Sequence, residues 1–204
     1  MNLNALVPAT LSFEYPFPVV RGCGKASYTD LMILASSSVI GIEAKFTEPQ
    51  YETVKDWLGP SPTQNRRDVL AGWLDCLNQT VGRPIVASAV ESLPYQLIHR
   101  AASVCSVARK SRFLIYQVFG PSPADFYAHE LDVLRTLLSA SQSAENPRIA
   151  ILSCSFQGTT RYAKLESEWK SGRRDGMSTR VREALLEGPL LKFSPTKLGD
   201  ATLS

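Results

Sequence analysis

Lys25–Pro49 reads KASYTDLMILASSSVIGIEAKFTEP, and the fold turns on how this stretch is read. Two apolar runs, Leu31–Ala35 and Val39–Phe46, flank three serines, Ser36–Ser38. Short β-branched runs joined by small polar residues predict a β-hairpin. Asp30 opens the first run, and Glu43 and Lys45 lie inside the second.

Charges inside an apolar strand need a physical reason, because an unpaired carboxylate or ammonium is costly to bury. Glu43 and Lys45 are two residues apart and share a strand face. Opposed residues of a hairpin also share a face, so the turn decides whether Asp30 joins them. A two- or four-residue turn sets Asp30 opposite Glu43 or Lys45. A three-residue turn sets it opposite Ala44. In the first case two carboxylates and one ammonium converge. Mg²⁺ is commonly held by one or two carboxylates with water and phosphate, and the Ala44 carbonyl offers another oxygen. Lys45 beside such an ion could orient or deprotonate a water, which is the chemistry of metal-assisted phosphodiester hydrolysis. The same alternation also fits an exposed strand whose polar face is Glu43 and Lys45, with Ile40, Ile42, Ala44 and Phe46 facing the core.

The pattern Asp30, then Glu43-Ala44-Lys45, resembles that of the PD-(D/E)XK nucleases, the restriction-endonuclease-like superfamily. ASYTDLMI and VIGIEAKFTEPQYE are similar to a bacterial restriction-endonuclease-like branch of it. Thr29 stands where the pattern usually has proline. The resemblance implies an α/β fold with a restriction-endonuclease-like core, a mixed central sheet flanked by helices. It implies that Asp30 and Glu43 bind Mg²⁺, or Mn²⁺ in its place, and that Lys45 activates water. In YQLIHRAAS it gives Gln96 a catalytic role, orienting water or phosphate, and Arg100 a nucleic-acid-binding one. The rival reading of Gln96, Arg100 and His99 is a helix surface. The expected activity is a DNA endonuclease, with RNA as the secondary substrate. The alternative is a catalytically weak or inactive module of the same fold that binds nucleic acid or a protein partner. The superfamily's leading helix is short or absent here. Its acid has only Glu14 as a substitute, and Glu14 lies in no helical pattern. A homodimer is compatible with the resemblance.

The 204 residues predict a single domain, with residues 160–204 as a partly flexible C-terminal extension. With 44% hydrophobic and 20% charged residues the composition is that of a globular protein. No apolar run reaches the length of a membrane helix and the N-terminus lacks a signal-peptide pattern, so no membrane partner and a cytoplasmic location are expected. Cys23, Cys76, Cys105 and Cys154 are far apart, which argues against a zinc or disulfide framework and for single buried thiols. A net charge of +3 permits nucleic-acid binding without arguing for it, and two histidines disfavour histidine-built hydrolases.

Around the hairpin, Thr10–Arg21 reads as an extended edge segment and RGCGK (Arg21–Lys25) as a turn. Thr47 and Gln50 form a capping-box pattern before a helix through Leu58, and Asn65 is the expected cap of a second. Trp57 and Trp73 read as core residues rather than base-stacking platforms, and Arg66 and Arg67 as a solvated face. Ser92-Leu93-Pro94 opens a third helix running to about Lys110. A strand at Arg112–Phe119, a turn at Gly120–Pro123, a helix at Ala124–Ser141 and a strand at Arg148–Phe156 follow. That order implies crossover connections. A helix is expected at Tyr162–Lys170. Lys170–Arg182 reads as a mobile basic loop, tracking DNA or merely solubilising, before a short helix to Leu186 and a frayed end.

Overall fold

The computed structural model describes residues 8–46, 51–119, 125–139 and 147–194. The expected capping box at Thr47 and Gln50, the turn at Gly120–Pro123 and the last ten residues lie outside them. So do residues 1–7. Strand β1 (Ala9–Phe17) is followed by β2 (Ser27–Ala35) and β3 (Ser38–Lys45). Helices α1 (Val54–Leu58), α2 (Gln64–Val81) and α3 (Tyr95–Ser106) come next. Strand β4 (Ser111–Phe119), helix α4 (Asp125–Ser139) and strand β5 (Arg148–Cys154) complete an α/β unit. Its five strands form one mixed sheet in the order β1-β2-β3-β4-β5. The first three are antiparallel, and β3, β4 and β5 are parallel. Parallel neighbours need a crossover, and α1 to α3 and then α4 supply the two that are required.

The hairpin register resolves the ambiguity of the serine turn. Leu34 pairs with Val39 and Leu31 with Ile42, so Ala35–Ser38 make the turn. Continuing that register sets Asp30 opposite Glu43. The faces of β3 are the reverse of an exposed polar strand. Val39, Gly41, Glu43 and Lys45 are buried, while Ile40, Ile42 and Ala44 are only half-buried and Phe46 is 46% exposed. The buried face meets α3, whose residues from Gln96 to Cys105 are all buried. Contact is close at Gly41, where a Cβ would lie 2.6 Å from Val104 Cγ2. Glycine there lets the helix settle onto the sheet. Thr29 is fully buried and its hydroxyl lies 3.4 Å from that of Ser103 on α3.

Helix α2 packs over α3, burying Val69, Leu70, Trp73, Leu74, Leu77 and Val81. Its N-cap is Thr63, whose hydroxyl accepts the Arg66 amide at 3.3 Å, not Asn65. Asn65 is used otherwise. Its side chain accepts the Cys23 amide at 2.6 Å and donates to the Cys23 carbonyl at 2.9 Å, fixing the RGCGK turn on α2. Helix α1 starts six residues later than Thr47 would place it. Thr53 caps it, exchanging hydrogen bonds with Asp56. Helix α3 ends at Ser106, short of Lys110.

Past β5 the chain makes β6 (Phe156–Gly158), α5 (Thr160–Lys170), α6 (Met177–Glu187) and β7 (Leu191–Phe193), with β6 and β7 paired. The strand expected over Arg148–Phe156 therefore breaks after Cys154. The basic loop expected over Lys170–Arg182 is instead a turn closed by Gly172 and Gly176, both at positive φ, and the first half of α6. Arg180 holds that turn, donating to the carbonyls of Asp175 and Arg173 at 2.7 Å each and pairing with Glu168 at 2.9 Å. Cys105 and Cys154 are buried thiols, but Cys23 is exposed and Cys76 half-buried, so burial does not hold for all four. Among the described residues no helix is long and apolar enough to cross a membrane.

Candidate functional site

Glu43 is the centre of a buried polar cluster. It projects from β3 toward α3 and is 2% exposed. Lys45, one strand repeat further on, donates to Glu43 Oε1 at 2.9 Å and is itself 3% exposed. From α3, Gln96 Nε2 donates to the same oxygen at 2.9 Å. Arg100 grips the carboxylate with two nitrogens, Nε on Oε2 and Nη2 at 3.3 Å from Oε1. Gln96 and Arg100 are one helical turn apart, the spacing that points both at one spot on the strand. The reading of these two as surface residues fails, since they are 6% and 7% exposed.

Asp30 approaches from β2, where its Oδ2 accepts the Ala44 amide at 2.7 Å. The carboxylate thus takes up a β3 amide just beyond the last paired position, Leu31 with Ile42. Glu14 stands across from Asp30 on the other side, between the pairs Phe13–Leu31 and Tyr15–Thr29. It is exposed and holds φ at 48°, a left-handed conformation unusual outside glycine. Glu14, Asp30, Glu43, Lys45, Gln96 and Arg100 all line one cleft of about 650 Å³.

His99 is not on the helix surface. It is 5% exposed, packed on Trp73 and Tyr95, and its Nδ1 lies 3.1 Å from Arg100 Nη1. Burial first, then the Arg100 and Lys45 charges, hold it well below the ordinary histidine range, so it is neutral at pH 7. Arginine only donates, which assigns Nδ1 as acceptor and the ring proton to Nε2. Tyr116, beside Glu43 in the β3–β4 register, is pushed well above its ordinary value by burial and then by that carboxylate.

Two opposed carboxylates beside a backbone carbonyl are hard oxygen donors of the kind that suit Mg²⁺, with water and phosphate completing the shell. Asp30 meets this requirement from the rim of the cleft. Glu43 meets it only by exchange, because both its oxygens are engaged by Arg100, Lys45 and Gln96. Among the described residues no group of three or more histidine, cysteine, aspartate and glutamate side chains is disposed to hold a metal ion.

Trp57 and Trp73, expected only as core, share the cleft with Tyr51, Tyr95 and His99. Trp73 is buried as expected, but Trp57 is only half-buried, with Arg66 lying 5.7 Å over its ring. Arg66 is exposed and lines the cleft too. Tyr95 carries no local pattern that marks it, and Tyr51, at helical spacing from Val54 and Trp57, lies ahead of α1. They meet because Tyr95 N–H donates to the Glu52 carbonyl at 3.0 Å, which ties the start of α3 to the segment before α1.

No curated protein and no solved structure matches the chain. A family model described as a domain of unknown function, DUF6946, matches residues 2–166, which include every residue lining the cleft. The α/β unit that builds this site therefore belongs to the DUF6946 family.

Proposed function

We propose that the chain is a metal-dependent phosphodiesterase of restriction-endonuclease-like fold acting on DNA, with RNA as the lesser substrate. The observation that carries this reading is the hairpin register, which brings Asp30 opposite Glu43 with Lys45 on the Glu43 face. The mixed sheet, its antiparallel hairpin followed by parallel strands, supports the fold assignment.

Asp30 and Glu43 would hold Mg²⁺ or Mn²⁺, an ion that supplies charge stabilisation at the phosphoryl oxygens when bound. Lys45, whose ammonium lies 2.9 Å from Glu43 Oε1, would orient the attacking water beside that carboxylate. Arg100, once exchanged off Glu43, presents a planar donor fork to a phosphate. Gln96 stays on the Glu43 carboxylate and holds its orientation.

A binding module without hydrolysis is the second reading, favoured by the complete engagement of Glu43. Calorimetric titration with Mg²⁺ separates the two. The phosphodiesterase binds the ion, and Asp30→Asn abolishes the heat. No heat with the wild-type chain, with or without an oligonucleotide, supports the binding module.

A further inference from the structure

Five rings pack together along the cleft. Trp73 and Trp57 have centroids 5.2 Å apart, and Trp57 stacks on Tyr95 at 5.7 Å with planes 23° apart. Tyr51 meets Tyr95 edge-on at 6.1 Å, and His99 packs on both Trp73 at 5.3 Å and Tyr95 at 5.7 Å. Trp73 and His99 are buried, but Trp57 and Tyr95 are half-buried and Tyr51 is 38% exposed, at the edge of a cleft that also carries Asp30, Lys45, Arg66 and Arg100. Lys45 joins the two halves. Its ammonium is 2.9 Å from Glu43 and 4.9 Å from the Tyr51 centroid, so ring and carboxylate are neighbours across one nitrogen.

We propose that this ring cluster is a stacking subsite for the base of an unpaired nucleotide whose phosphate lies at Asp30, Lys45 and Arg100. The proposal rests on the nucleic-acid reading above and narrows it to single-stranded, frayed or flipped-out substrate. Ring faces that accept a base also attract cations. Two of these faces already carry cations, Arg66 over Trp57 and Lys45 over Tyr51. A quaternary ammonium ligand would meet like charge there. A nucleotide offers a π-face to the rings and an anion to the cations, and satisfies both. A base paired within a duplex has its faces covered by its neighbours, so only an unstacked base fits.

The test is tryptophan fluorescence of the full chain, titrated with an oligothymidylate of about eight nucleotides. It is run in EDTA and again in Ca²⁺. The strand should quench the tryptophans and bind at least about tenfold tighter than an abasic strand of equal length. Tyr51→Ala should weaken binding about 5- to 150-fold, the range of base–aromatic stacking, while Tyr51→Phe binds as the wild type does. Equal affinity for abasic and base-bearing strands overturns the subsite. So does indifference to Tyr51→Ala, no binding of any strand, or quenching by tetramethylammonium that the strand does not reproduce. Cleavage is scored separately. Stacking without cleavage removes only the hydrolytic reading, and duplex cleavage with base-blind binding removes only the subsite.

Discussion

Arg100 holds Glu43 by two nitrogens of one guanidinium, Nε on Oε2 and Nη2 on Oε1 at 3.3 Å, in a pair that is almost wholly buried. A bidentate fork on a carboxylate is among the stronger polar contacts a protein makes. It occupies the oxygens a divalent cation would take. Arg100 and a metal ion at Glu43 are therefore competitors.

Replacing Arg100 should release the carboxylate. Arg100→Gln is expected to tighten Mg²⁺ binding roughly tenfold, equivalent to ~1.4 kcal/mol, and to weaken binding of a phosphate-bearing strand. Calorimetry with the ion and then the strand measures both. Unchanged or weaker Mg²⁺ affinity in the variant removes the competition.

Glu43→Ala leaves the Arg100 guanidinium and the Lys45 ammonium buried without their shared anion. Breaking one side of a buried pair in this way destabilises by about 3–5 kcal/mol. Urea denaturation of Glu43→Ala should show a loss of that size. Asp30 is half-buried and serves one amide, which the oxygen of an asparagine can still accept. Asp30→Asn should therefore lose less than about 1 kcal/mol. A denaturation midpoint for Glu43→Ala equal to wild type would contradict the buried network.

Gly41→Ala places a methyl 2.6 Å from Val104 Cγ2, at the seam between β3 and α3. Overpacking of that kind costs about 1–3 kcal/mol. Adding Val104→Ala should recover part of the loss, because it removes the atom that is met. Thermal melts of the single and double variants check the coupling. Strict additivity would place the strain elsewhere.

His99 stays neutral in the fold while an exposed histidine titrates near pH 6.5. Its folded pKa is depressed, so the unfolded chain binds the proton first. Stability from this group is complete above about pH 6.5 and falls as the pH drops below it, by up to ~1.4 kcal/mol per pH unit. His99→Gln, which can still accept from Arg100, should flatten the stability profile between pH 6.5 and 5. An unchanged slope would show that His99 is not the group responsible.

Much of the strand framework and the acid–lysine pattern was legible in the sequence, because strand alternation is local and Asp30, Glu43 and Lys45 lie in adjoining strands. Alternation alone could not say which face of β3 is buried. That depends on Gly41 admitting α3, a contact between residues far apart in the chain. The burial of Gln96, His99 and Arg100 has the same cause, since α3 is covered by the sheet on one side and α2 on the other. Asn65 looked like a cap because residue type favours it there, but Thr63 caps α2 and Asn65 holds the Cys23 turn instead. The basic composition of Lys170–Arg182 suggested an open loop. The fold instead spends Arg180 on carbonyls and Glu168, a partnership invisible without α5 and α6 side by side.

The most direct measurement is cleavage of plasmid and linear DNA by the wild-type chain in Mg²⁺ or Mn²⁺, beside Asp30→Asn and an EDTA control. Metal-dependent cutting is expected, which EDTA stops and which Asp30→Asn, still folded, lacks. Cutting by Asp30→Asn at the wild-type rate, or no cutting by the wild type on duplex or single-stranded DNA with either ion, would contradict it.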